Sequence, residues 1–98
     1  MAYAKSDLKS LVVEALRETV LDRELGAISG SSVPIGGLGL ESKDGVDFAC
    51  VLSEKLGVRI PDRMNPLVDD KLQKPRTVDG VVDAVEQFLN GHHEERKR

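Results

Sequence analysis

The chain has 98 residues, of which 40% are hydrophobic, 32% charged and 3% aromatic, with a net charge of −3. This suits one domain with one modest core and excludes a disordered chain. The acidic balance, the single cysteine and the three aromatics (Tyr3, Phe48, Phe88) disfavour a nucleic-acid or anionic-membrane partner, an internal disulfide, a Cys-rich zinc site and base stacking.

Met1 to Asp7 turns charged at once and holds no apolar stretch of the signal-peptide kind. No apolar run approaches the ~20 residues of a membrane span. A cytoplasmic location without membrane insertion is therefore expected, and the lone Cys50 fits a reducing compartment.

Residues 6–25 read as an amphipathic helix. Leu8, Leu11, Val12, Ala15, Leu16 and Thr19 share one face by i, i+3, i+4 spacing. Ser6 or Asp7 is the candidate cap and Gly26 the candidate stop. Residues 26–40 hold five glycines and Pro34 without a period, which predicts a long loop. It has no lysine for a P-loop and no preceding strand for a dinucleotide fingerprint. As a connector, it would tuck Val33, Ile35, Leu38 and Leu40 into the core.

Residues 42–56 read as a second helix with a wide apolar stripe of Val46, Phe48, Ala49, Cys50, Val51, Leu52 and Leu56. On that stripe Cys50 is expected as a packed core thiol. Gly57 would end the helix, and Pro61 holds Ile60 extended. Asn65-Pro66 reads as the start of a short third helix with Leu67, Val68 and Leu72 on its apolar face. Lys71, Lys74 and Arg76 make a basic connector. Thr77 then caps a last helix through Leu89, with Val78, Val81, Val82, Val85, Phe88 and Leu89 as its stripe and Asn90-Gly91 as its end. The expected fold is all-α, a four-helix bundle with a short third helix and a long loop between the first and second helices. It would occupy residues 1–91, followed by a charged tail from 92 to 98. His92 and His93 in that tail make at best a weak metal site.

The chemistry-bearing stretch is Gly39-Leu40-Glu41-Ser42-Lys43-Asp44-Gly45-Val46-Asp47-Phe48. Ser42 stands where the glycine-rich loop meets the second helix. The helix start offers N–H groups and a partial positive charge, suited to a phosphate ester. The same position suits a plain N-cap. Gly45, one turn on, leaves room either for a bound group or for a local kink.

This stretch resembles the acyl carrier protein family, whose modification motif is an acidic residue and a serine, usually followed by leucine, at the start of its second helix. Here it stands as Glu41-Ser42-Lys43. Val46, Asp47 and Leu52 fall on family positions, and Leu56-Gly57-Val58-Arg59-Ile60-Pro61-Asp62 follows the family's Phe-Gly-Ile-x-Ile-Pro-Asp run without a gap. Thr77-Val78, Val81-Val82 and Val85 resemble its final helix.

The resemblance implies that a phosphopantetheinyl transferase joins the 4′-phosphopantetheine of coenzyme A to Ser42, beside Glu41 and Lys43. The arm's thiol would carry acyl groups as thioesters to acyl-transferring or synthase enzymes. Val46, Leu52 and Ile60 match positions lining the family's acyl cavity, a role compatible with core packing. The chain itself would be a monomeric carrier and not an enzyme. An aminoacyl or peptidyl carrier, or an unmodified helical interaction module, are the alternatives.

Three features depart from the family pattern. Lys43 replaces the usual leucine. Residues 41–56 carry a net charge of only −2, which weakens steering toward basic partners. The segment from Pro61 to Thr77 is long and ends basic. Together they suggest a carrier dedicated to a specialised pathway.

Overall fold

Apolar side chains at three- and four-residue spacing bury one face of each of three helices in the computed structural model. It describes residues 4–21, 24–61, 64–69 and 71–96, with side chains only as far as Gly91. The helices are α1 (Lys5–Thr19), α2 (Asp44–Leu56) and α3 (Val78–Arg96). Between α2 and α3 lies a small antiparallel hairpin of β1 (Val68–Asp69) and β2 (Lys74–Pro75), with Val68 opposite Pro75 and Asp69 opposite Lys74. The radius of gyration is 12.8 Å, against about 13 Å for a compact chain of this length.

α1 packs against both α2 and α3. Leu8, Val12, Ala15 and Leu16 from α1 meet Phe48, Ala49, Leu52 and Leu56 from α2 and Val78, Val81, Val82 and Val85 from α3 in one core. Among the described residues no polar or charged side chain is buried with them. The loop of 26–40 joins this core through three of the four residues expected: Leu40 is buried, and Ile35 and Leu38 pack against it, whereas Val33 is only half-buried and does not belong to the cluster. Its backbone also completes α3, because Ser32 O accepts from Val78 N (2.8 Å) and Gly30 O from Asp79 N (2.9 Å). A Cβ on Gly30 would overlap the Asp79 carboxylate, so a larger residue there would have to displace that exposed side chain. Thr77 caps α3 as expected, its Oγ1 accepting from Gly80 N at 3.1 Å.

Four local expectations are corrected. α1 stops at Thr19, short of Gly26, and its N-cap is Ala4 without a side-chain bond, in place of Ser6 or Asp7. Thr19 Oγ1 donates to Ala15 O (2.7 Å), and the β-branched Thr19-Val20 pair is a poor helix continuation. Asn65 does not start a short third helix. Its Oδ1 accepts from Leu67 N (3.0 Å) and Asp69 Oδ1 from Lys71 N and Leu72 N (both 2.9 Å). The Asn65 bond would also suit a helix cap, but the Asp69 carboxylate offers the following backbone a turn in place of a helix, and the hairpin results. Among the described residues the architecture is thus three helices and a two-strand sheet where four helices were expected. Finally, Gly91 does not end α3, which runs to Arg96. A glycine stops a helix through a left-handed conformation, which Gly57 adopts (φ 70°) and Gly91 does not. Asp22, Arg23, Asp62 and the side chains of His92 and His93 lie outside the described residues.

Candidate functional site

The turn from Glu41 to Val46 carries Ser42 out of the loop and into α2. Glu41 O accepts from Asp44 N (3.0 Å), Ser42 O from Gly45 N (3.1 Å) and Lys43 O from Val46 N (3.4 Å). Asp44 Oδ2 in return accepts from Glu41 N at 2.7 Å, and its charge complements the helix dipole. Lys43 is the N-cap residue and makes no side-chain cap bond. Ser42 stands one residue earlier, exposed, and its hydroxyl does not cap the helix.

This geometry changes the chemistry read from the sequence. The first-turn amides of α2 are occupied by the turn's own carbonyls, so they are not open donors for a phosphate. The cation beside Ser42 is Lys43, whose Nζ lies 3.5 Å from Glu41 Oε2. Both partners are exposed, and such pairs contribute about 0–1 kcal/mol, so Lys43 can exchange Glu41 for a phosphodiester at little cost.

A second clamp reaches the turn from the segment before the hairpin. Asn65 Nδ2 donates to Ser42 O at 3.1 Å. Gly45 is buried, and a Cβ on it would overlap the Asn65 amide. The room at Gly45 is therefore filled by Asn65. The sequence carried no signal for this pairing beyond an unexplained helical glycine, because Asn65 lies 23 residues from Ser42.

Val46, Leu52 and Ile60 do not share one surface. Val46 is 53% exposed, whereas Leu52 and Ile60 are in the core at 0% and 3%. Ile60 is held there through Ser53, whose Oγ accepts from Ile60 N (2.9 Å) and donates to Ala49 O (2.6 Å). Cys50, expected in the core, is exposed. The buried positions Gly45, Phe48, Ala49, Leu52 and Leu56 make a narrower stripe than the sequence suggested, and Cys50 lies outside it. Of the basic connector, Lys71 and Lys74 are exposed, while the Arg76 guanidinium donates to Pro66 O at 3.1 Å.

Among the described residues no three His, Cys, Asp or Glu side chains group to hold a metal, and no helix is long and apolar enough to cross a membrane. No protein-family model matches the chain, and neither a curated protein nor a solved structure matches it significantly.

Proposed function

We propose that this chain is an acyl carrier protein, modified on Ser42 by a phosphopantetheinyl transferase and dedicated to a specialised pathway. The reading rests on the resemblance across residues 39–62. The observation that carries it is the Ser42 hydroxyl, exposed at the entrance to α2 and not engaged in capping. In the attachment step Ser42 Oγ forms a bond to the phosphorus next to pantetheine in coenzyme A. The phosphoanhydride bond breaks, adenosine 3′,5′-bisphosphate leaves with the electron pair, and the hydroxyl proton passes to a base on the transferase. When attached, the arm supplies a thiol that activates acyl groups as thioesters. The chain's own part is to hold the tether and raise the local concentration of the cargo at partner enzymes. Lys43 would pair with the phosphodiester, and Val46 would offer partners an apolar contact on the exposed side of α2.

Intact-mass measurement tests the proposal. The unaltered chain and Ser42→Ala are incubated with coenzyme A and several transferases. A phosphopantetheine mass gain that Ser42→Ala abolishes is the expected result. No gain with any transferase, and none on protein isolated from its natural host, favours an unmodified interaction module. The occupied first-turn amides of α2 are the observation on that side.

A further inference from the structure

We propose that Asn65 is a positioning residue for Ser42, locking the backbone from which the serine hydroxyl is presented to the transferase. This rests on the reading that Ser42 is modified. The Asn65 amide orientation follows from its partners: Ser42 O can only accept and Leu67 N can only donate, so Nδ2 faces the first and Oδ1 the second. Ser42 O then receives two hydrogen bonds, from Asn65 Nδ2 and Gly45 N, each at 3.1 Å. On the other side of the serine, Glu41 N is held by the Asp44 carboxylate (2.7 Å) and Glu41 O by Asp44 N (3.0 Å). The peptide groups before and after Ser42 are therefore both pinned, which leaves the side-chain torsion as the main freedom of its hydroxyl.

The clasp is itself anchored. Pro66 and Leu67 behind Asn65 are fully buried. Arg76, just after β2, ties both down, Nη1 donating to Pro66 O (3.1 Å) and N to Leu67 O (2.8 Å). Gly45 completes the fit. A glycine inside a helix costs about 1 kcal/mol relative to alanine, and here it admits the amide that a Cβ would displace. The segment that departs most from the family pattern thus reaches back to the modified turn. Displacement at phosphorus depends on holding the attacking oxygen in line, and misplacement by about 1 Å can cost on the order of 10²-fold.

Two variants test this by opposite routes. Asn65→Asp keeps an acceptor for Leu67 N and removes the donor to Ser42 O. Gly45→Ala evicts the amide while raising helix propensity. Loading by transferase and coenzyme A is followed by intact mass at several carrier concentrations, beside thermal unfolding and amide hydrogen exchange at Gly45. Both variants are expected to lower kcat for loading about tenfold, with KM changed less than about twofold. Both should unfold within a few degrees of the unaltered chain, and Asn65→Asp should exchange the Gly45 amide several-fold faster. Unchanged kcat in both variants, with the parent chain loaded normally, overturns the positioning role alone. A kcat loss matched by a KM rise and a lost thermal transition also overturns it, because Asn65 is then only structural. A parent chain that no transferase loads overturns the modification reading and this one together.

Discussion

Residues separated by a single step on α2 have opposite fates. A helix turns by about 100° per residue, so Cys50 falls beyond the stripe that buries Phe48, Ala49 and Leu52 and reaches solvent. The sequence showed an almost continuous apolar run, in which the helical phase was hidden by Val46, Cys50 and Val51 around the true core positions. Ser42 was legible because a loop-to-helix junction has a local signature. Its partner Asn65 was not, since no local rule links a glycine to an amide from a distant segment. The exposed thiol makes a direct prediction: Cys50 takes up one equivalent of a maleimide in native buffer. Cys50→Ser should shift stability by less than about 0.5 kcal/mol, as surface changes generally do. A thiol that reacts only after denaturant is added would place Cys50 back in the core.

Among the elements, the hairpin departs most from what its residues suggested. Asn-Pro is a sound helix start, and the Asn65 bond to Leu67 N is one a helix cap could make. A helix beyond it needs the later amides, but Asp69 claims Lys71 and Leu72 for itself. Gln73 takes a left-handed conformation at φ 55°, and Gln73 N reaches back to Asp69 O at 2.7 Å, closing the turn. The Leu72 amide, with Lys71 N and the Arg76 and Lys71 charges behind it, holds the Asp69 carboxyl below its ordinary value of 3.8. A carboxyl lowered on folding stabilises the hairpin above its unfolded value. That contribution is lost as pH falls below 3.8 through the lowered folded value. An NMR titration should place the Asp69 midpoint below 3.8, with Leu72 amide exchange accelerating as the group protonates. Asp69→Asn, which keeps an acceptor, should remove the acid dependence at Leu72. A midpoint at or above 3.8 would contradict the turn geometry.

On the scale of the whole molecule, α1 and α3 were readable because each carries its stripe at regular spacing and α2 because its apolar run lies between Gly45 and Gly57, and α1 serves as the common wall for the other two. Phe48, fully buried in the core that α2 shares with α1, is the sharpest test of that arrangement. Phe48→Ala should cost about 3–5 kcal/mol, a large share of the 5–15 kcal/mol that holds a typical domain together. Urea unfolding followed by circular dichroism measures it, and a loss below about 1 kcal/mol would mean that Phe48 does not organise the core. The way α3 begins has a further consequence, for the order in which the chain can assemble. Ser32 and Gly30 supply acceptors to Val78 and Asp79, so two carbonyls of the loop after α1 find their partners only in the last helix. A chain emerging from the ribosome holds unfinished loop backbone until α3 has appeared. Closing such distant contacts costs loop entropy, so the junction between this loop and the start of α3 is expected to close only once the last helix has been made.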